Sequence, residues 1–84
     1  MNLLHLKYAI EVAKCGSMGK ASETLLIATP NLSRSIKDLE RSLGVKIFVR
    51  STKGIVPTPE GETFLHYANS ILKQVDEIEG IFKY

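Results

Sequence analysis

Ser17–Leu43, SMGKASETLLIATPNLSRSIKDLERSL, decides the fold of this 84-residue chain. It reads as two short helices with a tight joint between them. Ser17 can cap the first, which carries Met18, Ala21 and Leu25 at i, i+3 and i+7, one face of a 3.6-residue period. So short a helix cannot stand alone and needs a partner. After Leu26-Ile27-Ala28, the pair Thr29-Pro30 restarts helix, with Thr29 expected as N-cap and Pro30 at the first helical position, where its missing N–H costs nothing.

Set about 100° apart, the residues after Pro30 bring Leu32, Ile36, Leu39 and Leu43 into one narrow arc, which must face a core. The opposite arc holds Pro30, Arg34, Lys37 and Arg41. Three cations at i, i+3 and i+7, with Thr29, Asn31 and Ser33 in the first turn, suit a helix whose N-terminus enters a major groove. Arg can fork onto guanine, and Ser and Asn can meet base edges or phosphates. An ordinary amphipathic helix with a solvated basic face has the same pattern, so the flanking segments must separate the two.

Gly44 follows the last apolar residue and can take the left-handed conformation that ends a helix. Val45-Lys46-Ile47-Phe48-Val49-Arg50 then has the branched and aromatic content of a strand. Ser51-Thr52-Lys53-Gly54 reads as a turn, Ile55-Val56 as the return, and Pro57 confines that second strand to an edge or cuts it short. A hairpin after such a helix is a wing, and Lys53 at its tip suits phosphates or a narrow minor groove; the alternative is a plain surface hairpin.

The order of helix from Leu3 to Lys14, helix-turn-helix, hairpin and long helix resembles the N-terminal DNA-binding domain of LysR-type transcriptional regulators, over nearly the whole chain. The residues that carry the resemblance are Leu3, Leu6 and Tyr8; Gly16-Ser17 and Ala21; Pro30, Leu32-Ser33-Arg34, Ile36, Leu39-Glu40 and Leu43-Gly44-Val45; and Phe48, Arg50, Thr58 and Gly61. Ala9 and Met18 stand where the family usually has aromatics, Ser22 where it has a second Ala, and Ala28 where it has Ser. The resemblance implies base reading by Thr29, Pro30, Ser33 and Arg34, and phosphate contact from Ser17, Asn31 and Lys37. It implies groove contact from Lys53, and Arg41 and Arg50 join this phosphate and groove set.

Composition agrees. A chain of this length fits one domain with one core, and 44% apolar residues suffice for it. The net charge is only +2, but residues 1–59 carry nine Lys or Arg against four acids, +5, and residues 60–84 carry two against five, −3. Basic charge thus belongs to the segment expected on nucleic acid. No apolar run approaches about 18 residues and the N-terminus has no charged-then-apolar leader, so a membrane span and a secretory signal are not expected, and a cytoplasmic location is. Cys15 is single and expected to be a small, partly buried residue. His5 and His66 lack neighbours at ligand spacing, and no phosphate loop, nucleophile elbow or carboxylate pair can be drawn, so neither an enzyme nor a cofactor is expected.

From Thr58 the pattern changes. Thr58 can cap a helix, Pro59 can take its first position, and Glu60 and Glu62 favour its positive end. Phe64, Ala68, Ile71, Val75, Ile78 and Phe82 then recur at 4, 3, 4, 3, 4, a heptad seam that Leu65 and Leu72 widen. The helix would run roughly 25 residues, about 37 Å, longer than a domain of this size is wide. Its far end either folds back on the wing or pairs with a second copy; the expectation is a dimer through Phe64, Ala68, Ile71, Leu72, Val75, Ile78 and Phe82. In the resembled family this helix leads to a larger effector-binding domain, expected here beyond Tyr84, the alternative being a naturally short protein.

The fold expected is therefore mainly α: a winged helix-turn-helix with a three-helix core and a two-stranded wing over residues 1–58, and a linker or dimerisation helix over 59–84. The function expected is binding of double-stranded promoter DNA by a bacterial LysR-type regulator acting as a dimer. A free-standing winged-helix regulator of another family and a winged-helix protein-interaction module are the alternatives.

Overall fold

The computed structural model describes residues 1–83. Asn2 opens the first helix, α1 (Leu3–Cys15), by accepting the His5 amide at 2.8 Å on its side-chain oxygen. Ser17 opens α2 (Met18–Leu25) in the same way, accepting from the Lys20 amide at 3.2 Å. Both caps satisfy an amide that a helix start leaves without an internal partner.

The next helix, α3 (Thr29–Leu43), starts one residue earlier than its sequence suggests. Ala28 is the N-cap, with no side-chain capping bond, and Pro30 occupies the second helical position. Thr29 does not cap because its hydroxyl is engaged 2.8 Å from Ser22 Oγ, across the turn on α2. Gly44 ends α3 at φ 75°, as expected.

The hairpin is shorter than Val45–Val56. Strands β1 (Phe48–Ser51) and β2 (Gly54–Pro57) pair antiparallel with Phe48 opposite Pro57 and Ser51 opposite Gly54. Val45–Ile47 stays out of the ladder because its backbone bonds elsewhere. The Ile47 and Phe48 amides donate to Glu40 Oε2 at 2.8 and 3.3 Å, and the Ile47 carbonyl accepts from the Thr58 amide at 2.9 Å. At the tip Gly54 has φ 110°, and a Cβ there would lie 2.6 Å from the Gly16 carbonyl oxygen, which accepts the Ile55 amide at 3.0 Å. The wing is thereby tied to the end of α1, and the tie requires glycine.

The last helix, α4 (Pro59–Phe82), begins as expected: Thr58 Oγ1 accepts the Gly61 amide at 2.9 Å, Pro59 follows, and Glu60 and Glu62 lie in the first turn. Gly61 is buried, and any side chain there would overlap the Ile47 carbonyl oxygen. At 24 residues α4 is about 36 Å long, within a molecule of 45 × 26 × 22 Å.

The core is built from Leu6, Ala9 and Val12 of α1, Ala21 of α2, Leu32, Ile36 and Leu39 of α3, Ile47, Phe48, and Leu65 and Ala68 of α4. Ile10 borders it, half-buried, because α1 turns its Leu6–Ala9–Val12 face inward, and Leu25, the last residue of α2, is half-buried at its edge. The heptad seam divides. Ala68 is 1% exposed, sealed within this chain, and so cannot contribute to a surface between copies. Leu72 and Val75, half-buried, continue the Leu65–Ala68 stripe, and Phe64 packs against the core. What remains open is a neighbouring stripe of Tyr67, Ile71, Ile78, Ile81 and Phe82. A 3.6-residue helix separates Ala68 from Ile71 by about 60°, enough to place one inside and the other outside.

Candidate nucleic-acid interface

Because Leu32, Ile36 and Leu39 are drawn into the core, the opposite face of α3 is turned to solvent. Thr29, Pro30, Asn31, Arg34, Lys37 and Arg41 are exposed there, and Ser33 is half-buried at its edge. Arg34 does not pair with Asp38, one turn on. Its Nη1 donates to Asn31 Oδ1 at 3.4 Å, a long and exposed contact that leaves most of the guanidinium fork open. Asp38 instead takes Arg41 at 3.0 Å, the one ion pair among the described residues. Both partners are well exposed, so the pair is worth only about 0.5 kcal/mol, but it draws Arg41 toward the surface of its own helix.

The wing stands beside this face. Its turn is closed by Ser51, whose hydroxyl donates to the Gly54 carbonyl and accepts the Lys53 amide, each at 3.1 Å. Lys53 is exposed at the tip. Arg50, exposed on β1, borders two adjoining clefts. One is shared with Gly16, Ser17 and Gly19 at the start of α2, the other with Ser33 and Lys37 of α3. Ser17, Ser33, Lys37 and Arg50 are thus brought together around these two clefts, whereas Lys53 and, in the first turn of α3, Thr29, Pro30 and Asn31 are exposed but line neither.

Two residues not singled out in the sequence complete the arrangement. Lys46 borders a shallow groove with Lys37 and Arg41 at the end of α3, a position hidden when Val45–Arg50 is read as one strand. Glu40 uses its carboxylate on the Ile47 and Phe48 amides and so sets the wing against α3. Its only sequence signal is its place in the Leu39-Glu40 pair.

Away from this face, Cys15 donates to Glu11 Oε2 at 3.3 Å. Partial burial, and then that carboxylate, raise the thiol's pKa above its ordinary value. Among the described residues no three His, Cys, Asp or Glu gather where a metal ion could be held, and no helix is long and apolar enough to cross a membrane.

Residues 3–62 match the family model described as bacterial regulatory helix-turn-helix protein, lysR family. The HTH-type transcriptional regulator BenM of Acinetobacter baylyi is 40% identical over 83 residues, 99% of this chain and 27% of that protein. The nitrogen assimilation regulatory protein nac of Klebsiella aerogenes is 34% identical over 79 residues, 94% of this chain and 26% of that protein. The chain therefore spans about a quarter of these curated relatives. Among solved structures, a BenM DBD complex with catB site 1 DNA superposes with a TM-score of 0.94 at 40% identity, covering 99% of this chain and 89% of that one. A CbnR DBD–DNA complex gives 0.89 at 36% identity, covering 95% and 92%.

Proposed function

The chain belongs to the LysR family of bacterial helix-turn-helix regulators, and on that footing we propose that it is the part of a transcriptional regulator that grips double-stranded promoter DNA. In this reading α3 enters the major groove, with Thr29, Pro30, Ser33 and Arg34 at base edges and Asn31 and Lys37 at phosphates. Ser17, Arg50 and Lys53 hold the flanking backbone and minor groove, while Arg41, shared with Asp38, contributes less. The observation that carries the proposal is the cleft that brings Ser33 and Lys37 of α3 together with Arg50 of the wing, in a chain that superposes at 0.94 on a homologous domain complexed with DNA.

The dimer belongs to the same proposal. Tyr67, Ile71, Ile78, Ile81 and Phe82 are exposed along α4, and pairing with a second copy would remove that apolar stripe from water. Two joined domains gain in effective concentration over one. The greater length of the relatives supports a regulator in which α4 links to an effector-binding domain.

The test is a salt titration of binding to a duplex from upstream of the gene. A DNA reader must give a steep negative slope of log K against log salt, since each neutralised phosphate releases counterion. A flat line at weak affinity favours a protein-interaction module instead.

A further inference from the structure

Ser22 is a buried polar side chain in α2, 5% exposed. Its Oγ donates to the Gly19 carbonyl oxygen at 2.8 Å. A carbonyl can only accept, so this bond takes the one proton a serine hydroxyl has. The same Oγ lies 2.8 Å from Thr29 Oγ1. With Ser22's proton committed, the proton between the two hydroxyls must come from Thr29. Thr29, exposed at the start of α3, therefore has lone pairs but no proton to offer a further partner.

We infer that Ser22 is a specificity-positioning residue: by taking Thr29's only proton it makes Thr29 an acceptor-only contact, which selects a base presenting a donor. In the major groove those donors are adenine N6 and cytosine N4. Guanine presents O6 and N7 there, and thymine presents O4, all acceptors. Thr29 facing either would leave two acceptors opposed without a proton, a mismatch that costs more than a missing bond. A threonine with a freely turning hydroxyl would discriminate far less, because it could donate or accept as the base required. The inference rests on α3 being the helix in the groove.

The experiment is selection of duplexes with a randomised site by the whole chain, comparing the native protein with Ser22→Ala and Thr29→Val, each first shown folded by circular dichroism. The native protein is expected to recover adenine or cytosine at one position, about tenfold over guanine and thymine. Thr29→Val should erase that preference at that position alone. Ser22→Ala frees the Thr29 proton and should admit guanine or thymine there, leaving positions read by other residues and the best affinity nearly unchanged. A merely structural serine would lower affinity evenly and leave the base profile intact, which overturns the inference. So does a profile that Thr29→Val changes and Ser22→Ala does not, or one that neither changes. Failure of the native protein to select any sequence would instead overturn the reading of α3 as a groove helix.

Discussion

Glu40 on α3 and Ile47 ahead of β1 are joined by a 2.8 Å hydrogen bond from the Ile47 amide to the Glu40 carboxylate, which accepts the Phe48 amide as well. Ile47 is fully buried, so the bond fixes the angle between α3 and the wing from inside. Glu40→Ala leaves two amides without their acceptor and should cost about 1–3 kcal/mol in urea unfolding. Glu40→Gln keeps an acceptor and should cost less. Equal stability of the Ala variant would show that water replaces the carboxylate.

Leu26 ends α2 at φ 59° and is 89% exposed. The left-handed conformation strains a side chain with a Cβ by roughly 1 kcal/mol, and here no burial offsets it. Leu26→Gly should therefore raise stability by about 0.5–1 kcal/mol despite glycine's greater chain entropy. A lower urea midpoint for the variant would contradict this.

Lys53 is exposed at the wing tip, beside Gly54. Its ammonium suits a phosphate better than a base code. Lys53→Ala should weaken binding to every sequence alike and reduce the salt slope by about one. An unchanged slope and affinity would remove the wing tip from the interface.

Ile78 is 58% exposed on α4, whereas Val75 is half-buried within its own chain. Ile78 is thus the cleaner site to test pairing. Ile78→Asp should leave a folded monomer by light scattering and circular dichroism, since a charge between two apolar helices costs several kcal/mol but an exposed one costs little. Loss of affinity should be large on two half-sites roughly 10 bp apart and small on one. A dimer that persists in this variant would place the pairing surface elsewhere.

What could be read from the sequence was what short-range chemistry decides. Ser17 and Thr58 cap amides three residues on, and the Leu32–Ile36–Leu39 arc follows from helical period alone, so these two caps and this buried face stand where expected. What escaped depends on partners distant in the chain. Thr29 is drawn from capping by Ser22, seven residues back on another helix, and the start of β1 is delayed by Glu40. The seam on α4 looked single because a heptad pattern cannot say which of its residues are already taken by the same chain; the burial of Ala68 decides that. Asp38 stands four residues after Arg34 and three before Arg41, within reach of either on a helix, and it takes Arg41, a choice among rotamers that spacing does not encode.

Arg34 tests the central proposal most directly. It lies on the exposed face of α3 with its guanidinium fork largely open, so it should read a base as well as attract charge. The measurement is the ratio of affinities for the upstream duplex and for a scrambled duplex of equal length at one salt concentration, in the native protein and in Arg34→Ala. The native ratio should be roughly a thousandfold or more, and the variant should lose about tenfold to a hundredfold on the upstream duplex while its affinity for the scrambled one barely moves. A native ratio near one, or equal losses on both duplexes, would contradict sequence reading by this helix.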